Sequence, residues 1–243
     1  MKSVLMSLKP TEISLAGLLT KRHLGAGFWS VKRGKDMREI SWLDRVYQAQ
    51  TPKQIEHAYD GWAGDYEADV FKYGYIAPAI VTGLICRYVW TKAAVCEAGV
   101  GTGILGENLH ILGYSNIDGF DISEGMLSIA KKKKVYGNLR RMALGKELEY
   151  PSDTYDAVFS TGTFTMGHAP ASGFDELIRI TKPGGKVIMS IQINQEKTTG
   201  FLARLDFFEK KEKWRLEDRS LIFQSVPLGE PEVENRVFVY KKL

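Results

Sequence analysis

The sequence of 243 residues has no long hydrophobic run and only two cysteines. No stretch approaches the roughly 18 consecutive apolar residues that a membrane-spanning helix needs, so we expect no membrane span. Cys86 and Cys96 do not make a disulfide framework, and both fit a reducing compartment. The four histidines show no metal-ligand spacing, so no metal site is expected. Without internal repeats or low-complexity tracts, the length indicates one domain with an N-terminal extension.

The chain carries a net charge of +4, and its excess of basic residues lies near the start. Residues 1–40 contain eight Lys or Arg and three acids, a net of +5, so the remaining residues sum to −1. A near-neutral remainder does not indicate a broad nucleic-acid-binding surface. We interpret residues 1–40 as a flexible solvated tail or as an organelle-targeting segment. A cytoplasmic location is therefore expected, with organelle targeting as the alternative, and the oligomeric state stays open.

The most informative motif is an acid followed by a glycine-rich turn. A short apolar run ends in Glu97, and Gly99, Gly101 and Gly103 follow; a second apolar run then ends in Asp121. Glycines let the backbone turn tightly and approach a ligand without interference from Cβ. An acid at the end of the second strand is placed to accept from both hydroxyls of a ribose. The pattern predicts a βαβ unit that binds a nucleoside.

The same glycines also fit a dinucleotide-binding motif. Counted from Gly101, the chain reads Gly101-x-Gly103-x-x-Gly106, the spacing of a pyrophosphate-binding turn. Glu97 argues against that interpretation, because a carboxylate repels a pyrophosphate but suits an ammonium or sulfonium group. A nicotinamide-dependent dehydrogenase therefore stays a competing but less favoured hypothesis.

Alternating strand-like and helical segments predict an α/β fold. We expect a Rossmann-like, mostly parallel seven-stranded sheet with helices on both faces and an antiparallel C-terminal strand. Residues 41–243 would form the domain, and its helical residues 41–90 a lid. The predicted strands are residues 93–97, 117–121, 139–143, 155–160 and 186–191, followed by an antiparallel pair near 221–226 and 237–240. A helix is predicted at 123–134, with Ser123 as its N-cap.

Four further motifs accompany the glycine turn. They read Tyr-Asp-Gly-Trp-Ala-Gly-Asp-Tyr at 59–66, Gly-Phe-Asp-Ile-Ser-Glu-Gly-Met-Leu at 119–127, Phe-Ser-Thr-Gly-Thr-Phe at 159–164 and Thr-Lys-Pro-Gly-Gly at 181–185. With these motifs, residues 59 to about 239 resemble the class I S-adenosylmethionine (SAM) methyltransferases. The resemblance is closest to the Williams–Beuren-region methyltransferase-like group and its bacterial relatives.

The resemblance implies that SAM is the cofactor and S-adenosyl-L-homocysteine (SAH) the product. It implies in-line transfer of the methyl group to an oxygen or nitrogen atom of a small-molecule acceptor. Many relatives carry an acid after the third strand that accepts from the adenine amino group, whereas this chain reads Arg141-Met142-Ala143-Leu144 there. Backbone groups and apolar packing would then hold the adenine.

The residues expected to bind the cofactor lie at the strand ends and on the aromatic lid segment. They are Tyr59, Trp62, Tyr66, Glu97, Gly99, Gly101, Thr102, Gly103, Asp121, Ile122, Met126, Met142, Ala143 and Ser160. The three aromatic residues, at spacings of three and four, indicate one helix face, and ordinary aromatic packing is the alternative to a lid over SAM.

His168 is the one imidazole expected near this edge of the sheet, and it is the candidate base for a protonated acceptor. The alternative is a loop histidine that transfers no proton. SAM methyl transfer mainly requires alignment and exclusion of water, so the lack of a catalytic triad is no objection. A methyltransferase-fold binding or regulatory protein and a protein methyltransferase stay as alternative functions. An apolar cover, or an amphipathic helix packed on the sheet, is predicted from Phe201, Leu202, Leu205, Phe207 and Phe208.

Overall fold

A computed structural model describes residues 41–194 and 200–243 of the chain. The predicted extension at 1–40, with both interpretations of its role, and His23 lie outside the described residues. The helices are α1 (Trp42–Gln48), α2 (Pro52–Trp62), α3 (Tyr66–Lys72), α4 (Ala77–Tyr88), α5 (Ile104–Ile111), α6 (Glu124–Lys133), α7 (Gly173–Ile180) and α8 (Phe201–Lys210). The strands are β1 (Val95–Ala98), β2 (Ile117–Asp121), β3 (Leu139–Arg141), β4 (Tyr155–Phe164), β5 (Thr181–Gln192), β6 (Trp214–Arg219), β7 (Phe223–Gln224) and β8 (Glu234–Lys242).

Local capping explains where two helices that frame the site begin. Thr51 Oγ1 accepts from the Gln54 amide, the Gln54 side chain accepts from the Thr51 amide, and Pro52 occupies the first helical position of α2. The Ser123 hydroxyl accepts from the Met126 amide at 3.0 Å, so Ser123 is the N-cap of α6, as predicted. Both caps satisfy amides that a helix leaves without an internal partner.

The sheet has the predicted Rossmann-like architecture. Its main path runs β3-β2-β1-β4-β5-β8-β6, and the two-residue β7 pairs with β8 as an eighth strand. The strands from β3 to β5 are parallel, and β8 runs antiparallel to both β5 and β6. Because β1 lies between β2 and β4, the strand order reverses there, and ligands of such sheets bind at the carboxyl ends of the strands at this point.

Three strand assignments differ from the predictions. β4 continues past Ser160 to Phe164, because Phe164 pairs with Ile191 after a register shift. β5 begins at Thr181, so the Lys-Pro-Gly-Gly segment forms an irregular start of the strand rather than a turn before it. Residues 214–219 form β6, which the sequence analysis did not predict.

The core lies on both faces of the sheet, because every residue of β1 is buried. The apolar face of α8, formed by Phe201, Leu205 and Phe208, belongs to the cluster around Trp214, so α8 is the predicted amphipathic helix packed on the sheet. Within residues 41–194 and 200–243, no helix is long and apolar enough to cross a membrane.

Candidate active site

The main cleft opens at the carboxyl edge of β1, β2 and β4. It encloses about 810 Å³ of space, part of it open to solvent. Its lining comes from α2, α3, the glycine turn, the ends of β2 and β4, and the loops after β3 and β4. The lining residues are Pro52, Ile55, Tyr59, Tyr66, Gly99, Gly101, Phe120, Asp121, Ile122, Met126, Met142, Ala143, Leu144, Thr161, Gly162, Thr163, His168, Ala169 and Pro170.

The glycine turn forms one wall of this cleft and requires its glycines. Gly99, Gly101 and Gly103 have φ values of +76°, +55° and +86°, a region that side chains disfavour. A Cβ on Gly99 would lie 2.2 Å from Thr163 Oγ1, so β4 approaches the turn too closely for any side chain. The turn also borders a smaller cavity, which we call the glycine cavity. It is lined by Tyr66, Tyr75, Pro78, Glu97, Gly99, Val100, Gly101, Thr102, Ile104, Leu105 and Thr161.

Asp121 holds the end of β2 against the glycine turn. Its Oδ2 accepts from the Gly101 amide at 2.8 Å, and its Oδ1 accepts from the Ser123 amide at 2.9 Å. Burial raises the pKa of this carboxyl group, and the hydrogen bonds from the backbone oppose that shift. Since each carboxylate oxygen accepts more than one hydrogen bond, Asp121 retains acceptor capacity on the cleft side.

Glu97 lies behind the glycine turn and is paired with a tyrosine that the sequence analysis did not single out. Tyr136 donates its phenolic hydrogen to Glu97 Oε2 at 2.7 Å. The carboxyl group is 2% exposed, and its burial raises the pKa of Glu97 to about 8 against the lowering effect of Tyr136. In the chain without ligand, Glu97 is therefore largely protonated at neutral pH.

Two buried hydroxyls on the glycine cavity have no hydrogen-bond partner among the described residues. They are Thr102 Oγ1, in the glycine turn, and Thr161 Oγ1, on β4. Buried polar atoms are almost always paired with protein, water or ligand. The cavity therefore suits a ligand with polar atoms at this end.

The aromatic face of α2 and α3 separates the main cleft from a third space, the lid cavity. Tyr59 and Trp62 stack at 6.1 Å between ring centroids, and Tyr66 meets Trp62 edge to face at 4.8 Å. The lid cavity encloses about 580 Å³, part of it open to solvent. It is lined by Leu43, Tyr47, Tyr59, Trp62, Tyr66, Val70, Tyr73, Tyr75, Gly162, Thr165, His168, Ser225, Val226, Glu230, Val233 and Asn235.

Tyr59 and His168 form a hydrogen-bonded pair that lines both the main cleft and the lid cavity. The Tyr59 hydroxyl lies 2.6 Å from His168 Nε2. His168 Nδ1 lies 2.7 Å from Thr165 Oγ1 and 2.9 Å from the Met166 carbonyl. We assign the hydrogen to Nδ1, because the carbonyl can only accept whereas the Thr165 hydroxyl can donate or accept, and in this tautomer Nε2 accepts from Tyr59. Burial lowers the pKa of His168, so the ring is neutral at neutral pH. Burial also raises the pKa of Tyr59, which keeps its proton.

Two carboxylates that the sequence analysis did not single out fasten α2 over the main cleft. Asp60 Oδ1 accepts from the Ser123 hydroxyl at 2.6 Å and from the Gly125 amide at 2.9 Å. One helical turn earlier, Glu56 pairs with Arg141 at the end of β3. These partners are distant in sequence, so spacing alone gives no signal for them.

The structure brings most of the predicted residues to these cavities. Tyr59, Tyr66, Gly99, Gly101, Asp121, Ile122, Met126, Met142, Ala143 and His168 line the main cleft. Glu97 and Thr102 line the glycine cavity instead, and Trp62 lines the lid cavity. Two predicted residues line none of the three. Gly103 is the N-cap residue of α5, and Ser160 is fully buried with its hydroxyl 2.7 Å from the Ala98 carbonyl. In this part of β4, Thr161 and Gly162 line the cavities in place of Ser160.

Comparison with known proteins agrees with this geometry. A family model of the methyltransferase domain matches residues 96–189. Human methyltransferase-like protein 27 is 32% identical over 165 residues, which cover 65% of this chain and 67% of the human protein. The chain belongs to the SAM-dependent methyltransferases. This family is the one that the sequence motifs predicted, and the cofactor of the protein is SAM.

Other relatives share shorter stretches or the fold alone. A demethylmenaquinone methyltransferase of Halalkalibacterium halodurans is 40% identical over 79 residues, 30% of this chain and 31% of that protein. A SAM-dependent methyltransferase of Thermotoga maritima superposes with a TM-score of 0.55 at 19% identity, covering 77% of this chain and 99% of that one.

The cavities of the methyltransferase fit SAM by their chemistry. The main cleft offers an acid and a set of apolar side chains, which suit a ribose and a planar base. The glycine cavity shares Tyr66, Gly99, Gly101 and Thr161 with it as lining residues, and offers a buried acid and two hydroxyls without a partner among the described residues. The methionyl end of SAM carries an ammonium and a carboxylate group, which require such polar partners.

Proposed function

We propose that the enzyme transfers the methyl group of SAM to an oxygen or nitrogen atom of a small-molecule acceptor. The observation that carries this proposal is the Tyr59–His168 pair, which lines both the main cleft and the lid cavity. The lid cavity is bounded by α1, α2, α3 and the segment before β8. An acceptor bound there lies next to the cofactor.

Eight of the predicted cofactor residues have a proposed role. Asp121 accepts from the ribose hydroxyls, Ile122 and Met126 flank the adenine, and Met142 and Ala143 supply apolar and backbone contacts on its other side. Glu97 and Thr102 face the ammonium end. Tyr66 rather than Tyr59 contacts the methionyl carboxylate of SAM, because Tyr66 lines the glycine cavity and Tyr59 does not.

His168 is the proposed base. Bound SAM supplies a methyl group already activated by its sulfonium, so the protein aligns the acceptor, excludes water and removes a proton where the acceptor carries one. Because Nε2 accepts from Tyr59, a proton from the acceptor reaches His168 through the Tyr59 hydroxyl. Nδ1 keeps its hydrogen and donates it to the Met166 carbonyl, which keeps the ring oriented.

The test is transfer of labelled methyl from SAM to a pool of cell metabolites, with the products separated by size. The proposal predicts label in the small-molecule filtrate with the wild type and strongly reduced label with His168→Ala. Label only in the protein fraction would contradict the small-molecule acceptor. Binding of SAH without transfer to any pool would favour a binding or regulatory role.

A further inference from the structure

The lid cavity is lined by one acidic side chain, Glu230. All its other lining residues are neutral at neutral pH, His168 included. The carboxylate is half-buried, and Tyr47 donates its phenolic hydrogen to Oε2 at 2.9 Å. Glu230 is therefore fixed in position by a neutral donor, and the cavity carries net negative charge.

No cation among the described residues forms an ion pair with Glu230. Among residues 41–194 and 200–243, the charged groups that act on it are Glu232 and Asp44, both acidic, and together with burial they raise the pKa of Glu230. A half-buried carboxylate without a countercharge is costly, and a bound cation removes that cost. The electrostatics of the lid cavity thus favour a positively charged ligand.

Six of the residues that line the cavity carry aromatic rings. They belong to Tyr47, Tyr59, Trp62, Tyr66, Tyr73 and Tyr75. Trp62 is held in place because its indole nitrogen donates to Asp69 Oδ2 at 3.0 Å. Aromatic faces attract ammonium groups, more strongly where water is excluded. A carboxylate within an aromatic wall is a combination that recognises an amine.

A buried amide at the same cavity has an unused donor. Asn235 is 2% exposed, and its Nδ2 has no hydrogen-bond partner among the described residues. Its backbone lies in the ladder between β8, β5 and β7, which fixes its position. An orphaned buried amide indicates that a polar atom of a ligand belongs beside it.

We propose that the acceptor is a small amine, bound in the lid cavity as an ammonium ion against Glu230 and the aromatic wall. This inference rests on the proposed function, since it names the acceptor class of the same site. It selects nitrogen rather than oxygen as the methylated atom.

The proton of the ammonium must leave before the nitrogen can react. It passes to the Tyr59 oxygen while the Tyr59 hydrogen passes to His168 Nε2, which leaves an imidazolium. The freed lone pair of the nitrogen forms the bond to the methyl carbon, and the electrons of the broken carbon–sulfur bond stay on sulfur. The products are the methylated ammonium and SAH, and the imidazolium returns its proton to solvent.

The experiment is calorimetric titration of amines into SAH-saturated protein at neutral pH. The probes are 2-phenylethylamine, tetramethylammonium and 2-phenylethanol, the last a neutral match in shape for the first. For the wild type we expect at least one cation to bind, and the amine to bind about tenfold more tightly than the alcohol. Glu230→Gln is expected to remove that preference.

Glu232→Gln is the matched control, because it removes the same charge from the same segment at a residue outside the cavity lining. It is expected to keep the preference. The inference is overturned if neither cation binds, if the wild type prefers the alcohol, or if both glutamine variants lose the preference equally. The difference in affinity between 2-phenylethylamine and 2-phenylethanol for the wild type tests the inference even where a variant fails to fold.

The two proposals fail in distinguishable ways. Absence of SAH binding to folded wild type removes the proposed function and this inference with it. SAH binding without a preference for the amine removes the inference alone and leaves a neutral acceptor in place.

Discussion

The phenolic oxygen of Tyr136 lies 2.7 Å from Glu97 Oε2, and the same ring covers Gly106 of α5. A Cβ on Gly106 would lie 2.2 Å from that oxygen. The third glycine of the Gly101-x-Gly103-x-x-Gly106 spacing thus makes room for Tyr136, which in turn holds the acid behind the turn. A pattern shared with dinucleotide-binding proteins here serves to position a buried carboxyl group.

Gly106→Ala is expected to lower the free energy of unfolding by about 1–3 kcal/mol, because the methyl group overlaps the Tyr136 ring. Gly83→Ala is the matched control in α4, where a Cβ meets no atom within 4 Å. That variant is expected to raise the free energy of unfolding by about 0.4–1 kcal/mol. Urea unfolding measures both; equal shifts for the two variants would contradict the role of Gly106.

Glu97 predicts a proton release when the cofactor binds. Its pKa of about 8 leaves it mostly protonated at neutral pH, and an ammonium group nearby favours the carboxylate. Calorimetry of SAH in neutral buffers of different ionisation enthalpy should therefore show net loss of close to one proton for the wild type. Glu97→Gln should lose none. Equal proton release by both proteins would place the titrating group elsewhere.

The same group makes stability depend on pH in the absence of ligand. A carboxyl group whose pKa is raised by folding binds its proton more tightly in the folded chain than in the unfolded one. Its contribution therefore falls as pH rises from about 4.5 to about 8 and is constant above that. Glu97→Gln should flatten this part of the stability profile, measured by thermal unfolding across that range.

His168→Ala is expected to lower kcat by about 10²–10⁴-fold while SAH binding persists. The reason is that the imidazole is proposed to take the proton of the substrate that is methylated, through the Tyr59 hydroxyl. The wild-type rate should be limited by protonation of His168 only below its usual pKa of 6.5, because burial lowers that pKa. His110→Ala, at an exposed histidine on α5, is the control. Unchanged kcat in His168→Ala would leave the histidine with a structural role only.

Asp60→Ala is expected to loosen α2 over the main cleft. It removes the acceptor of the Ser123 hydroxyl and of the Gly125 amide at the start of α6. Loss of about 1 kcal/mol should speed amide hydrogen exchange in α2 roughly fivefold and weaken SAH binding. Asp65→Ala removes a nearby exposed acid without a side-chain cap bond, and it should change neither. Equal exchange rates in the two variants would contradict the fastening role.

Periodicity and capping predicted the framework of the site, because these signals are local in sequence. The bounds of β2 follow from an apolar run. The N-cap at Ser123 follows from a hydroxyl side chain three residues before the Met126 amide that it accepts from. The placement of Asp121 at the carboxyl edge follows from the same strand. Local signals therefore suffice for the strand and the helix start that frame the main cleft.

The remaining features depend on contacts that no local pattern encodes. β6 needs β8 as its partner, and the extension of β4 needs a register shift against β5. Ser160 lies at a strand end, yet its hydroxyl turns to the Ala98 carbonyl and away from the cavities. Glu230 and its partner Tyr47 both line the lid cavity, although they are 183 positions apart in the sequence.

The most direct test of this account is calorimetric titration of SAH into the folded wild type, Asp121→Asn and Asp121→Ala. We expect binding by the wild type and a loss of about 1.5–3 kcal/mol in Asp121→Ala, as for hydrogen bonds to a charged group. Asp121→Asn, which keeps one acceptor oxygen, should lose less. Failure of the folded wild type to bind SAH, or equal affinity in Asp121→Ala, would contradict the site assigned here.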